Sequence, residues 1–140
     1  MMKNEIGALI LRVTLGIIFF VHGLMKFQGG IENVAGWFSS IGLPGFMAYV
    51  VAIIELVGGI ALILGLGTRI VSALLAIIMV VAILKVKLSA GFLGNGESAG
   101  YEFDLALLAM SVYLGLSGSK LFAVDDMIFN KEKTELKETA

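Results

Sequence analysis

Three ionisable side chains, Arg12, His22 and Lys26, interrupt a run of about twenty apolar residues at 6–27, IGALILRVTLGIIFFVHGLMKF. A run of that length can cross a bilayer core as a helix. A charged group deep in hydrocarbon costs roughly 2.5–3.5 kcal/mol or more, so such groups face a protein interior and find partners. At about 100° per residue, Arg12, Gly16, Phe19, Gly23 and Lys26 share one stripe, with His22 at its edge. A second apolar run carries Glu55 near its middle, on a stripe with Ala48, Ala52, Gly59 and Leu62. If the two helices are antiparallel neighbours, Arg12 lies about 9 Å and Glu55 about 15 Å from their shared end. Arginine can bridge that difference, so an Arg12–Glu55 ion pair is expected. It would lock the helices together or relay protons.

A second cluster forms at the opposite ends of the helices. His22 and Lys26 close the first, Lys85 and Lys87 close the third, and Glu102 and Asp104 open the fourth. On ideal helices Glu102 shares a stripe with Ala106, Ala109 and Tyr113, whereas Asp104 and Ser111 point elsewhere; Lys85 shares a face with Leu74, Ile78 and Val81. The candidate ligand-binding set is therefore His22, Lys26, Lys85 and Glu102. Lys87 reads instead as a lysine whose stem lies along apolar surface while its head reaches for lipid headgroups. A polar pocket of lysine, histidine and carboxylate under an apolar roof suits a quinone-like ring. Donors bind its oxygens, and a titratable group passes protons as the ring changes oxidation state. No residue is assigned a catalytic role.

The elements that must position these groups are long apolar segments. The chain has 140 residues, 59% hydrophobic and 15% charged, against the roughly 45–50% and 25% of soluble domains. Four segments, about 6–27, 46–65, 68–88 and 101–118, are each long enough to span a bilayer. The expected fold is all-α: an integral membrane four-helix bundle forming one domain over 1–118. No Ala-x-Ala-like site follows the first segment, which reads as an uncleaved anchor. Between the first two segments, Ile31, Val34, Phe38 and Ile41 follow helical spacing beside Trp37, predicting a short amphipathic helix at the interface. The third connection, 89–100, is glycine-rich and reads as flexible. Tail residues 119–140 end in mixed charge with no apolar face, and that end is expected to be disordered. The Lys and Arg distribution favours both termini in the cytoplasm. Each half runs from a helix ending in lysine, through a long outer loop, to a helix with an acid (Glu55; Glu102), a faint parallel repeat.

Composition also removes chemistries. With no cysteine, thiol redox chemistry, iron–sulfur clusters and cysteine-ligated zinc are excluded. His22 is the single histidine, so one chain cannot make a bis-histidine haem or a Glu-x-x-His di-iron site. No metal site is expected. A net charge of −1 gives no case for nucleic-acid binding.

Arg12…Gly16…His22-Gly23…Lys26, then Glu55-x3-Gly59…Gly65-x-Gly67-Thr68-Arg69, then Gly100-Tyr101-Glu102, in that order and spacing, resemble the DoxX family of small four-helix bacterial and archaeal membrane proteins. The resemblance covers roughly 6–118. It implies a multi-pass protein of the cytoplasmic membrane, classed as an oxidoreductase and linked to quinones, catechols and oxidative stress. The family's shared polar positions map to Arg12, Lys26, Glu55, Arg69 and Glu102. On this basis the expected function is a membrane oxidoreductase or redox-complex subunit. It would bind a quinone-like or catechol-like aromatic near the outer leaflet, with electrons from a bound cofactor or a soluble redox partner. The alternatives are a non-enzymatic membrane anchor for such a partner, and a transporter of a small solute or lipid. Four short helices bury few side chains away from lipid, so a homodimer is compatible with the sequence.

Overall fold

The computed structural model describes residues 2–139, so positions 1 and 140 of the expected spans lie outside the described residues. Helix α1 (Met2–Gln28) has 27 residues and ends in a turn through Gly29 and Gly30. It leads to α2 (Ile31–Ser40), where Phe38 is buried and the neighbouring Trp37 is half-exposed. Beyond Pro44 comes α3 (Phe46–Leu64). Helix α4 (Thr68–Ala82) follows after a short turn and continues as a π-helical turn, Ile83–Lys87, and a 3-10 turn, Leu88–Ala90. The last two helices are α5 (Glu102–Ser117) and α6 (Val124–Thr139). Among the described residues there is no strand beyond one isolated bridge, Gly94 to Ala99. Three helices, α1, α3 and α4 with its extension, are long and apolar enough to cross a membrane.

Helix α1 packs antiparallel along α3, and α4 along α5; the α3–α4 turn joins the two pairs. Small residues let α1 and α3 approach closely, as they do where packing rather than the hydrophobic effect holds membrane helices together. A Cβ built on Gly16 would lie 2.8 Å from the carbonyl oxygen of Gly59, and one on Gly23 only 2.6 Å from the amide nitrogen of Leu56. Leu15, Phe19, Leu62, Leu75, Met79 and Leu107 fill the space between the pairs. Elsewhere the helices expose apolar side chains such as Ile10, Ile53, Ile70, Leu84 and Leu116. Apolar surface on this scale is foreign to a soluble monomer and suits contact with lipid.

Two connections are more ordered than the sequence suggests. In the 91–101 loop, the Asn95 side-chain oxygen accepts hydrogen bonds from the amides of Glu97 (3.1 Å) and Ser98 (2.8 Å), and the Phe92 and Tyr101 rings meet edge to face. The tail, expected to end in disorder, is helical through Thr139. Its Lys, Glu and Leu residues are strong helix formers. Asp125 and Asp126 open α6 and Lys137 lies in its last turn, the charge order that complements the helix dipole. The Asp125 carboxylate also accepts the amide of Gly67, fastening α6 to the α3–α4 turn and capping α4 from outside its own sequence.

Candidate functional site

Glu55 is buried at mid-helix on α3, and its partner is Lys26 of α1. Lys26 Nζ donates to Glu55 Oε2 at 2.7 Å, with 24% of the lysine side chain and 4% of the glutamate side chain exposed. The glycine contacts explain the pairing. Gly16 abuts Gly59 and Gly23 abuts Ala52 and Leu56, which sets Glu55 level with residues around 20–24 of α1. Lys26 is then within one turn, whereas Arg12 lies roughly ten residues, about 15 Å, away along the axis. The expected Arg12–Glu55 pair does not form. That expectation takes the helix ends as flush, and the close-packed glycines impose a different register.

Arg12, 1% exposed, turns to the opposite end of the molecule. Its Nη1 donates to the Ser119 carbonyl and hydroxyl oxygens (both 3.3 Å) and to the Leu121 carbonyl (3.1 Å), and its Nη2 to the Phe122 carbonyl (3.1 Å). It thus pins the turn between α5 and α6. Phe122 sits there at φ 49, a left-handed conformation that is strained for a bulky residue. Arg69, nearby on α4, donates to the Leu116 carbonyl at 2.7 Å.

The second ion pair also differs from expectation. Lys85 and Glu102 are exposed and line no part of the site. Their neighbours Lys87 and Asp104 pair instead, Nζ to Oδ1 at 3.1 Å, with 28% and 7% of the side chains exposed. The π turn is the cause on α4. Ile78, Ala82, Val86 and Lys87 line the cavity from this helix, and the five-residue π repeat from Ala82 to Lys87 brings Lys87 beside Val86 on the inward side while Lys85 stays exposed. On α5 the buried stripe is Asp104, Leu107, Ser111 and Leu114. That helix is apolar on every side, so its inward face cannot be read from hydrophobicity.

Both ion pairs face one cavity of about 290 Å³ between the helices at the end that carries α2. Trp37, Phe38, Leu43 and Met47 cover it, and Phe19 and Leu107 form its floor. His22 lines it from α1 without an ion-pair partner among the described residues, its ring 6.1 Å from that of Phe103. Of the sequence-predicted set, His22 and Lys26 meet here and Lys85 and Glu102 do not. Sequence reasoning placed Glu55 with Arg12 and passed over Lys87 and Asp104. The only signal for them was their place at helix ends beside other charges. The result is an apolar chamber, near the lower end of the roughly 300–1,000 Å³ of small-molecule sites. It holds two ammonium donors, each anchored by a buried carboxylate. It can hold a single ring whose oxygens accept hydrogen bonds.

The model of the DoxX family matches residues 7–88, a span that holds Lys26, Glu55 and Lys87 but not Asp104. A Bacillus subtilis protein named "Putative oxidoreductase CatD" is 54% identical over 92% of this chain and 92% of its own length. An uncharacterised membrane protein of Mycobacterium tuberculosis is 34% identical over 82% of this chain and 77% of its own. The inner membrane protein YqjF of Escherichia coli is 24% identical over 91% and 96%. No solved structure matches the chain.

Proposed function

This chain belongs to the DoxX family, and from that premise we propose that it is a multi-pass membrane oxidoreductase, or the membrane subunit of a redox complex. Its ligand is a quinone-like or catechol-like ring held in the cavity near the outer leaflet, with both termini in the cytoplasm. One observation carries the reading: two lysine–carboxylate pairs, Lys26–Glu55 and Lys87–Asp104, face the same apolar chamber. A purely structural salt bridge needs no cavity beside it. Each ammonium supplies a hydrogen bond to a ring oxygen, and the carboxylate behind it keeps the charge affordable in a low-dielectric site. Reduction of a quinone ring to its hydroquinone takes two electrons and two protons. The lysines donate hydrogen bonds to the oxygens that receive those protons, His22 lines the same cavity, and a partner protein delivers the electrons.

The test is to purify the protein in mild detergent, extract its lipids and quantify quinone against protein. The reading predicts near-stoichiometric quinone in the wild type and its loss from folded Lys26→Ala and Lys87→Ala proteins. A wild type free of quinone that also fails to bind added quinone would remove the ring site. The anchor role would then gain weight, because α6 extends beyond the packed helices with Met127, Ile128 and Phe129 exposed.

A further inference from the structure

The cavity is closed toward one end of the molecule and open along its side. Phe38 is buried, and Leu43 and Met47 are half-buried, where α2 and its connection lie over the chamber. On the α1–α5 side the lining includes an ionisable ring: His22 is exposed and lies 6.1 Å from the half-exposed ring of Phe103. On the remaining side the lining residues are apolar and face outward: Ile77 is 61% exposed, Val81 40% and Trp37 46%. Helices α3 and α4 meet at their turn end, where Gly58 packs on Val71 and Leu75. Farther from the turn, Val51 and Glu55 of α3 and Ile78 and Ala82 of α4 are separated by the cavity itself. Helix α2 is packed on α1 and α3, and its Trp37 lines the same cavity as Ile77 and Val81 of α4.

We propose that this gap, bounded by Trp37, Ile77 and Val81, is a lateral doorway to the bilayer, and that the ligand is a lipid-borne molecule with an oxygenated ring and a long apolar chain. The ring passes between α2 and α4 and lodges between the two lysine–carboxylate pairs. The chain stays outside, lying along Ile77 and Val81 among the lipid tails. A volume of about 290 Å³ accommodates a ring and the first part of a chain, not a folded tail. An apolar doorway imposes no desolvation cost on a chain that is already in hydrocarbon, whereas a charged or strongly hydrated ring would have to shed water to use it. This inference rests on the ring-binding reading above and adds the route and the ligand's second half.

Trp37 is the single tryptophan and stands at the doorway, so quinone quenching of its fluorescence reports binding. The full chain in lipid nanodiscs is titrated with a decyl-substituted 1,4-benzoquinone, and separately with a sulfonated benzoquinone confined to water. The decyl probe is expected to quench saturably and the sulfonated probe not. Filling the doorway with Ile77→Phe and Val81→Phe together should weaken the decyl probe about tenfold or more, the usual scale of overpacking. Val80→Phe, exposed and outside the cavity lining, should leave it as in the wild type. Saturable binding of the sulfonated probe, or wild-type affinity for the decyl probe in the filled variant, overturns the doorway while leaving the ring site standing. Absence of saturable quenching by either probe overturns both.

Discussion

Glu55 is the most exacting side chain in this molecule, because it is 3% exposed at mid-helix and depends on one partner. Removing one member of a buried pair strands the other, whereas replacing both with apolar groups is often neutral. Lys26→Met alone is therefore expected to destabilise the protein by about 3 kcal/mol, and Lys26→Met with Glu55→Leu by no more than about 1 kcal/mol. Thermal unfolding in detergent measures both, and the double variant should remain folded yet fail to bind quinone. If the double variant binds as tightly as wild type, the pair serves packing alone. At the second pair, Lys87→Ala should weaken ring binding about tenfold, the loss of one hydrogen bond to a charged donor, while Lys85→Ala, two residues away and exposed, should not. Equal effects in a binding titration would show that the π turn does not select between them. At this scale the sequence revealed which residues are out of place in lipid, but not their partners. The terminal nitrogens of Arg12 are bound by carbonyls more than a hundred residues along the chain, and backbone acceptors carry no sequence signature.

Among the elements, close packing between α1 and α3 sets the register on which the site depends. A Cβ on Gly59 would lie 2.5 Å from the amide nitrogen of Phe20, whereas one on Gly7 meets nothing within 4 Å. Gly59→Ala should accordingly cost about 1–3 kcal/mol through forced separation of the helices. Gly7→Ala should be neutral or stabilising by up to about 1 kcal/mol, as helix propensity gains. Melting temperatures of the two proteins, compared under one condition, decide it. The long apolar runs and the spacing of Ile31, Val34, Phe38 and Ile41 made the helices legible in the sequence. The faces of α4 and α5 were not. A five-residue π turn moves every later side chain around the axis, and nothing in ILKVK announces it. Asp104 was hidden for the different reason that α5 is apolar all round.

Across the whole molecule, the two antiparallel helix pairs place equivalent groups at one site. Lysine near the end of the first helix meets acid on the second, Lys26 with Glu55 and Lys87 with Asp104. The second pair uses Asp104, in the first turn of its helix, where the sequence pattern pointed to Glu102. At the far end Arg12 and Asp125 tie the α5–α6 turn and α6 to the other helices. Arg12→Ala should release that turn, raising protease cleavage between 118 and 124 without emptying the distant cavity; unchanged proteolysis would mean that α6 is held by other contacts. The claim on which the rest depends is that one aromatic ligand sits between the two ion pairs. Photolabelling the membrane-embedded protein with an azido-quinone and mapping the modified peptides tests it most directly. Label competed away by unlabelled quinone and confined to Met47, Val51, Ile78 and Phe103 is the predicted result. Label concentrated at the α6 end, or label that no excess of quinone displaces, would contradict it.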